Sequence, residues 1–115
     1  MTPITVTVSN ASGGVKYTRW VRLDSWALPN VAVQLNVTGS VSYTLQTTMD
    51  DPNSPTNPVS VNNVTWFNSN DSSVVNASAS AQTNFVFLPT FARVQLNSGS
   101  GSVTATFAQA GVVPV

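Results

Sequence analysis

The chain has 115 residues and formal net charge zero, with four Lys and Arg against four acids, all of them Asp, so that only 7% of residues are charged where soluble proteins usually carry roughly 25%. That length supports one buried core rather than two, and that charge excludes the basic footprint of a nucleic-acid binder. With no His and no Cys, the usual general base, the thiolate nucleophile and the commonest zinc ligands are all missing, which sets aside triad, redox and most metalloenzyme chemistry. No catalytic residue, cofactor or metal is expected.

Ser, Thr and Asn number 15, 14 and 12, and they interleave with Val and aromatic residues at alternate positions. Period two is the signature of a strand with one face on a core. Ile4, Val6 and Val8 open the series around Thr5 and Thr7. Residues 1–8 carry neither a basic region nor a continuous apolar run, and no window approaches the ~20 apolar residues of a membrane helix, so neither secretion nor membrane insertion is expected. The lack of Cys fits folding in a reducing cytosol. A second strand is expected over 17–23. Val31, Val33, Leu35 and Val37 then alternate with polar partners, as do Val41, Tyr43 and Leu45. Further strands are expected over 83–88, around Ala92, Val94 and Leu96, and around Val103, Ala105 and Phe107. No window shows a helical period, and the β-branched residues disfavour one.

Breakers separate these runs at 10–14, 27–30, 38–40 and 98–101, and the second and fourth read as hairpin turns. Pro52, Pro55 and Pro58 cannot donate ladder hydrogen bonds, so 49–61 is expected as an extended surface loop. The Ser- and Asn-rich stretch 68–81 reads as a crossover between two sheets. Val33-Gln34-Leu35-Asn36 returns as Val94-Gln95-Leu96-Asn97, each copy leading through a glycine turn into another strand, which reads either as two hairpins converging on similar strings in a narrow composition or as two similar hairpins in related places of facing sheets. The expectation is therefore an all-β fold, a single antiparallel β-sandwich over residues 1–115 with seven or eight strands in Greek-key or jelly-roll topology. Val33, Leu35, Tyr43, Val94 and Phe107 are the expected core.

Candidate sites are few. Asp50 and Asp51 beside Asn53 offer oxygen ligands to a hard cation, but the spacing matches no calcium loop, and Asp-Asp-Pro is an ordinary turn opening. Nothing marks a glycosidase carboxylate pair. Trp20, Trp26 and Trp66, with Tyr17, Tyr43, Phe67 and Phe91, suit either a sugar-stacking platform or packing at the ends of the sandwich, and in so small a domain packing is the better reading. Arg19 and Arg22 are expected to pair locally with Asp24. Sequons at Asn10, Asn36, Asn63, Asn70 and Asn76 follow from composition alone. More telling are strand faces of Thr, Ser, Asn and Gln whose edges lack the charges that keep monomeric β proteins apart. Association is expected.

The ordered run from Trp20 through Leu23-Asp24, Pro29, Val37-Thr38-Gly39-Ser40-Val41-Ser42-Tyr43-Thr44-Leu45-Gln46, Asp50-Asp51-Pro52, Trp66, Phe87-Leu88-Pro89 and Arg93 to Gly101-Ser102-Val103-Thr104-Ala105-Thr106 and Gln109-Ala110-Gly111 resembles small virion proteins encoded by tailed bacteriophages. The resemblance implies a non-enzymatic virion component, on the capsid as a decoration or cement protein, assembled in the host cytoplasm in many copies against the major capsid protein. A tail or head-to-tail connector role is the alternative, and a carbohydrate-binding adhesion module the alternative of another class. Contact with partners is expected from Met1, Thr2 and Pro3, from Asp50, Asp51, Pro52, Pro55 and Pro58 of the long loop, which proline stiffens and makes cheap to order, and from Val112, Val113, Pro114 and Val115. No nucleic acid or membrane partner is expected.

Overall fold

Among the described residues, alternation of apolar and hydroxyl or amide residues becomes nine strands: β1 Ile4–Ser9, β2 Lys16–Tyr17, β3 Val21–Arg22, β4 Val31–Thr38, β5 Val41–Thr48, β6 Phe67–Asn68, β7 Ala81–Phe85, β8 Phe91–Gly99 and β9 Ser102–Gln109. The structure is a computed structural model that describes residues 3–9, 14–23, 31–54, 56, 58–85 and 89–109. The strands form two antiparallel sheets, one in the order β1-β9-β4-β7, the other β2-β8-β5-β6 with β3 also on β8. Among the described residues the only helical pieces are two 3-10 turns, Val61–Asn63 and Ser72–Val74.

The inward residues of the two sheets meet in one core. Val6 and Val8 of β1, Val31, Val33 and Leu35 of β4, Phe85 of β7 and Val103, Ala105 and Phe107 of β9 face Val21, Leu23, Val41, Tyr43, Leu45, Ala92, Val94 and Leu96. The five residues expected from periodicity are all in it. Each large apolar side chain buried this way stabilises the fold by about 1.5–3 kcal/mol. No buried side-chain polar atom among the described residues lacks a partner.

The strand expected over 17–23 is split. Lys16 and Tyr17 pair with Leu96 and Gln95, whereas Val21 and Arg22 pair with Ala92 and Phe91, a register one residue out of step. Thr18 bridges the slip. Its N–H donates to the Val94 carbonyl, and its hydroxyl accepts from the Val94 N–H, each at 3.0 Å, so a side-chain oxygen replaces a ladder carbonyl. The crossover expected over 68–81 is present, leaving β6 in the second sheet and reaching β7 in the first. Tyr43 anchors it: its N–H and C=O exchange bonds with Ala77 at 2.8 Å, and its buried phenol donates to the Ala79 carbonyl at 2.8 Å. Val74, fully buried, plugs the same crossing. The strand expected over 83–88 begins two residues earlier, at Ala81, and 86–88 lie outside the described residues.

The hairpin reading of 98–101 is overturned, because β8 and β9 belong to different sheets. The same holds for the strands flanking 27–30, a turn itself outside the described residues. Each half of the sequence echo, β4-turn-β5 and β8-turn-β9, straddles both sheets. They lie side by side, β4 on β9 with Thr38 opposite Ser102, and β5 on β8 with Val41 opposite Gly99. The two corners touch backbone to backbone: a Cβ on Gly101 would lie 2.2 Å from the Thr38 carbonyl oxygen, and one on Gly99 2.1 Å from that of Ser40. Gly99 also has φ +107°, a conformation only glycine adopts readily. Gly99→Ala is therefore expected to cost at least about 2 kcal/mol and to lower the melting temperature by about 10 °C, measured by calorimetry.

Candidate functional site

The outer face of the five-stranded sheet carries a line of stacked side chains. Arg93 on β8 sits over two rings, its guanidinium carbon 4.0 Å from the Tyr17 centroid and 4.1 Å from that of Trp66, while its Nε donates to Gln46 Oε1 at 2.9 Å. Trp66 meets Trp20 edge to face at 5.1 Å and 71°, Trp20 meets Phe91 at 5.3 Å and 60°, and Arg22 lies 4.5 Å over Phe91. Arg22 then donates to Asp51 Oδ1 at 2.9 Å. Trp20 and Trp66 thus lie over a sheet face and not at the ends of the sandwich, where packing was expected; Trp26 is outside the described residues. Arg22 takes Asp51 as partner, and Asp24 is likewise outside them.

This line ties down the long loop. Asp50 Oδ2 accepts from the Thr65 N–H at 2.7 Å, closing the loop at its base, and Asp51 Oδ1 accepts from the Asn53 N–H at 2.9 Å, the turn that Asp-Asp-Pro announces. The Asp51 carbonyl accepts from both Ser54 and Val59 N–H groups at 3.2 Å. Beyond this base Asn53, Thr56, Pro58 and Val61 are exposed. Among the described residues no three His, Cys, Asp or Glu side chains gather as metal ligands.

The outer face of the four-stranded sheet differs in kind. Across its strands run rows of uncharged side chains: Thr5, Thr106, Gln34 and Gln82 in one, Thr7, Thr104 and Asn36 in the next. The hydroxyls pair across β1 and β9, Thr5 with Thr106 at 3.2 Å and Thr7 with Thr104 at 3.1 Å. No residue of these four strands is ionisable. Where Ala32 lies beside Ala108 the face dips into a depression of about 260 Å³ edged by Pro3, Gln34, Gln82 and Thr106. Pro3 is thus the one expected N-terminal contact residue whose place is described, since Met1 and Thr2, like Pro55 of the loop and Val112, Val113, Pro114 and Val115 of the tail, are outside the described residues.

The stacked line was not legible in the sequence. Arg93, Tyr17 and Trp66 come from three separated segments, and only the antiparallel register brings them together. A partial signal existed in Arg93, a cation at an outward position of a strand otherwise free of charge. No protein-family model, no curated protein and no solved structure matches the chain.

Two outcomes follow. Arg93→Ala is expected to lose about 2 kcal/mol of stability and to shift tryptophan emission, with Arg93→Lys recovering only part because it lacks the planar fork; denaturant titration read by fluorescence measures both. The Asp51 carboxyl is held below its ordinary range by the Arg22 hydrogen bond and then by the Asn53 N–H, and that of Asp71 by hydrogen bonds from the Ser73 and Thr83 hydroxyls and the Ser73 N–H. Lowered folded-state values stabilise above the unfolded value of about 4 and lose that contribution as pH falls through the folded ones. Melting temperature should fall on acidification below about pH 4, and an Asp51→Asn, Asp71→Asn double variant should show a flatter fall.

Proposed function

We propose that the chain is a non-enzymatic structural protein of a tailed-phage virion, a capsid decoration or cement protein that adds non-covalent contacts to an assembled shell. The observation that carries this reading is the four-stranded sheet: strands without one ionisable residue, presenting rows of Thr, Gln and Asn, a surface that desolvates against a partner without burying an unpaired charge. The order of strands supports it as well. Counting β2 and β3 as one strand interrupted at Thr18, the sheets read 1-8-3-6 and 2-7-4-5, an order that supports a jelly roll of two Greek keys, the architecture common to viral capsid and lectin domains. Many copies each burying an interface of standard size stabilise a shell by avidity, with no chemistry in any one copy.

The expected partner is the major capsid protein, with the exposed part of the 49–61 loop and Pro3 at the contact. A carbohydrate-binding module needs open, coplanar rings, and here Arg93 covers a face of Trp66 while Trp20 stands at 71° to it. That arrangement favours the structural role. Imaging of the intact particle is expected to place the protein on the head, at seams between capsomers. Purified protein should bind expanded capsids, and Gln34→Glu with Thr106→Glu should weaken binding with little change in melting temperature. Density in the tail or neck would shift the role to a connector, and quenching of tryptophan fluorescence by a glycan with no capsid binding would overturn the structural reading.

A further inference from the structure

We infer that the free edge of β1 pairs with β1 of a second copy, antiparallel about a two-fold axis at Val6, joining two four-stranded sheets into one of eight strands. The inference goes beyond the virion role and does not rest on it, since the pairing belongs to the free protein.

A sheet edge invites pairing unless something blunts it. Two of the four edges traced by the described residues are blunted. β2 and β3 carry Lys16 and Arg22 and a register slip between them. β6 is two residues long, and the chain beside β5 leaves the ladder after Ser69 and rejoins it at Ala77. β7 is uncharged as well, but it is shorter than β1, and its inward positions mix Thr83 with Ala81 and Phe85 where those of β1 are all apolar. β1 has none of these devices. It runs six residues in unbroken register with β9, with no charge, glycine, proline or bulge, and among the described residues no strand or loop bonds to its other side.

The occupant is specified by the strand itself. Ile4-Thr5-Val6-Thr7-Val8 reads the same in both directions as apolar-Thr-apolar-Thr-apolar, the self-complementarity an isologous two-fold contact requires. Centred on Val6, the pairing sets Thr5 opposite Thr7 of the second copy and Ile4 opposite Val8. Every residue keeps its face, as period two demands. The Thr106–Thr5 hydroxyl pair continues into Thr7 and Thr104 of the second copy, in the kind of cross-strand Thr contact that stabilises sheets. Ile4, only partly buried at the margin of the core, gains cover.

The experiment is sedimentation velocity of the full chain over a broad micromolar range. A concentration-dependent dimer is expected. Thr5→Lys with Thr7→Lys places like charges opposite each other across the contact, and should weaken the dimer by about tenfold or more with the fold retained by circular dichroism. Gln82→Lys with Asn84→Lys on β7 should leave the dimer unchanged. Register is read separately, because the chain has no native cysteine: a mixture of Thr5→Cys and Thr7→Cys chains should form a disulfide, and either alone should not, its sulfurs lying beyond bonding reach. This cross-link also decides the matter if the lysine variant fails to fold. A parent that stays monomeric, a dimer indifferent to the β1 charges, or cross-linking of either single variant as readily as of the mixture overturns the inference.

Discussion

The contact on which both sheets depend is the backbone-to-backbone crossing of the two glycine corners. The chain passes from the first sheet to the second at Gly39 and returns at 99–101, and these four strands, β4, β5, β8 and β9, are the central strands of both sheets. Because the corners touch, Thr38 is held opposite Ser102 and Val41 opposite Gly99, and the register of each sheet propagates from that point. A side chain on Gly99 or Gly101 has no space to occupy, so the corner couples the two sheets and the core registers with them: Val33 with Phe107 on one side, Leu45 with Val94 on the other.

From that frame the molecule divides its surface chemistry by sheet. The second sheet carries Lys16, Arg22 and Arg93 and lays both guanidinium groups on rings: they cover aromatic faces that would otherwise be open, and Asp51 completes the line. The first sheet has no charge at all. In the one, both guanidinium groups and the Asp51 carboxylate find partners within the chain, while Tyr17 and Phe67 stay exposed. In the other, a broad face of hydroxyls and amides is left facing outward, and its β1 edge carries none of the features that keep sheets apart. That neutral face is the one the proposed association uses.

How much of this was legible depended on the range of the interaction. The alternation of Ile4, Val6 and Val8, or of Val31, Val33 and Leu35, is local, and it gave the strands and their buried faces directly. The turn at Asp50-Asp51-Pro52 is local too, and Asp51 accepts from Asn53 as that motif requires. The sheet to which each strand belongs is not local. A Gly-Ser turn between two alternating runs looks the same whether the second run folds back in its own sheet or crosses to the facing one, which is why 98–101 read as a hairpin. For the same reason the echo of Val33-Gln34-Leu35-Asn36 in Val94-Gln95-Leu96-Asn97 read as two hairpins in facing sheets, whereas each copy spans both sheets. The Arg93 stack was hidden for the same reason, since Tyr17 and Trp66 reach it from 76 and 27 residues away along the chain, and Thr18 gave no sign that its hydroxyl replaces a ladder carbonyl.

The central claim, that the uncharged sheet and its β1 edge form the association surface while the aromatic face serves the fold, is tested most directly by amide hydrogen exchange on the full chain, compared between dilute and concentrated solution. The account predicts added protection at residues 4–9 on concentration, with exchange near Trp20, Trp66 and Arg93 unchanged. Protection that rises instead over 16–22 and 64–68, with 4–9 exchanging as before, would contradict it.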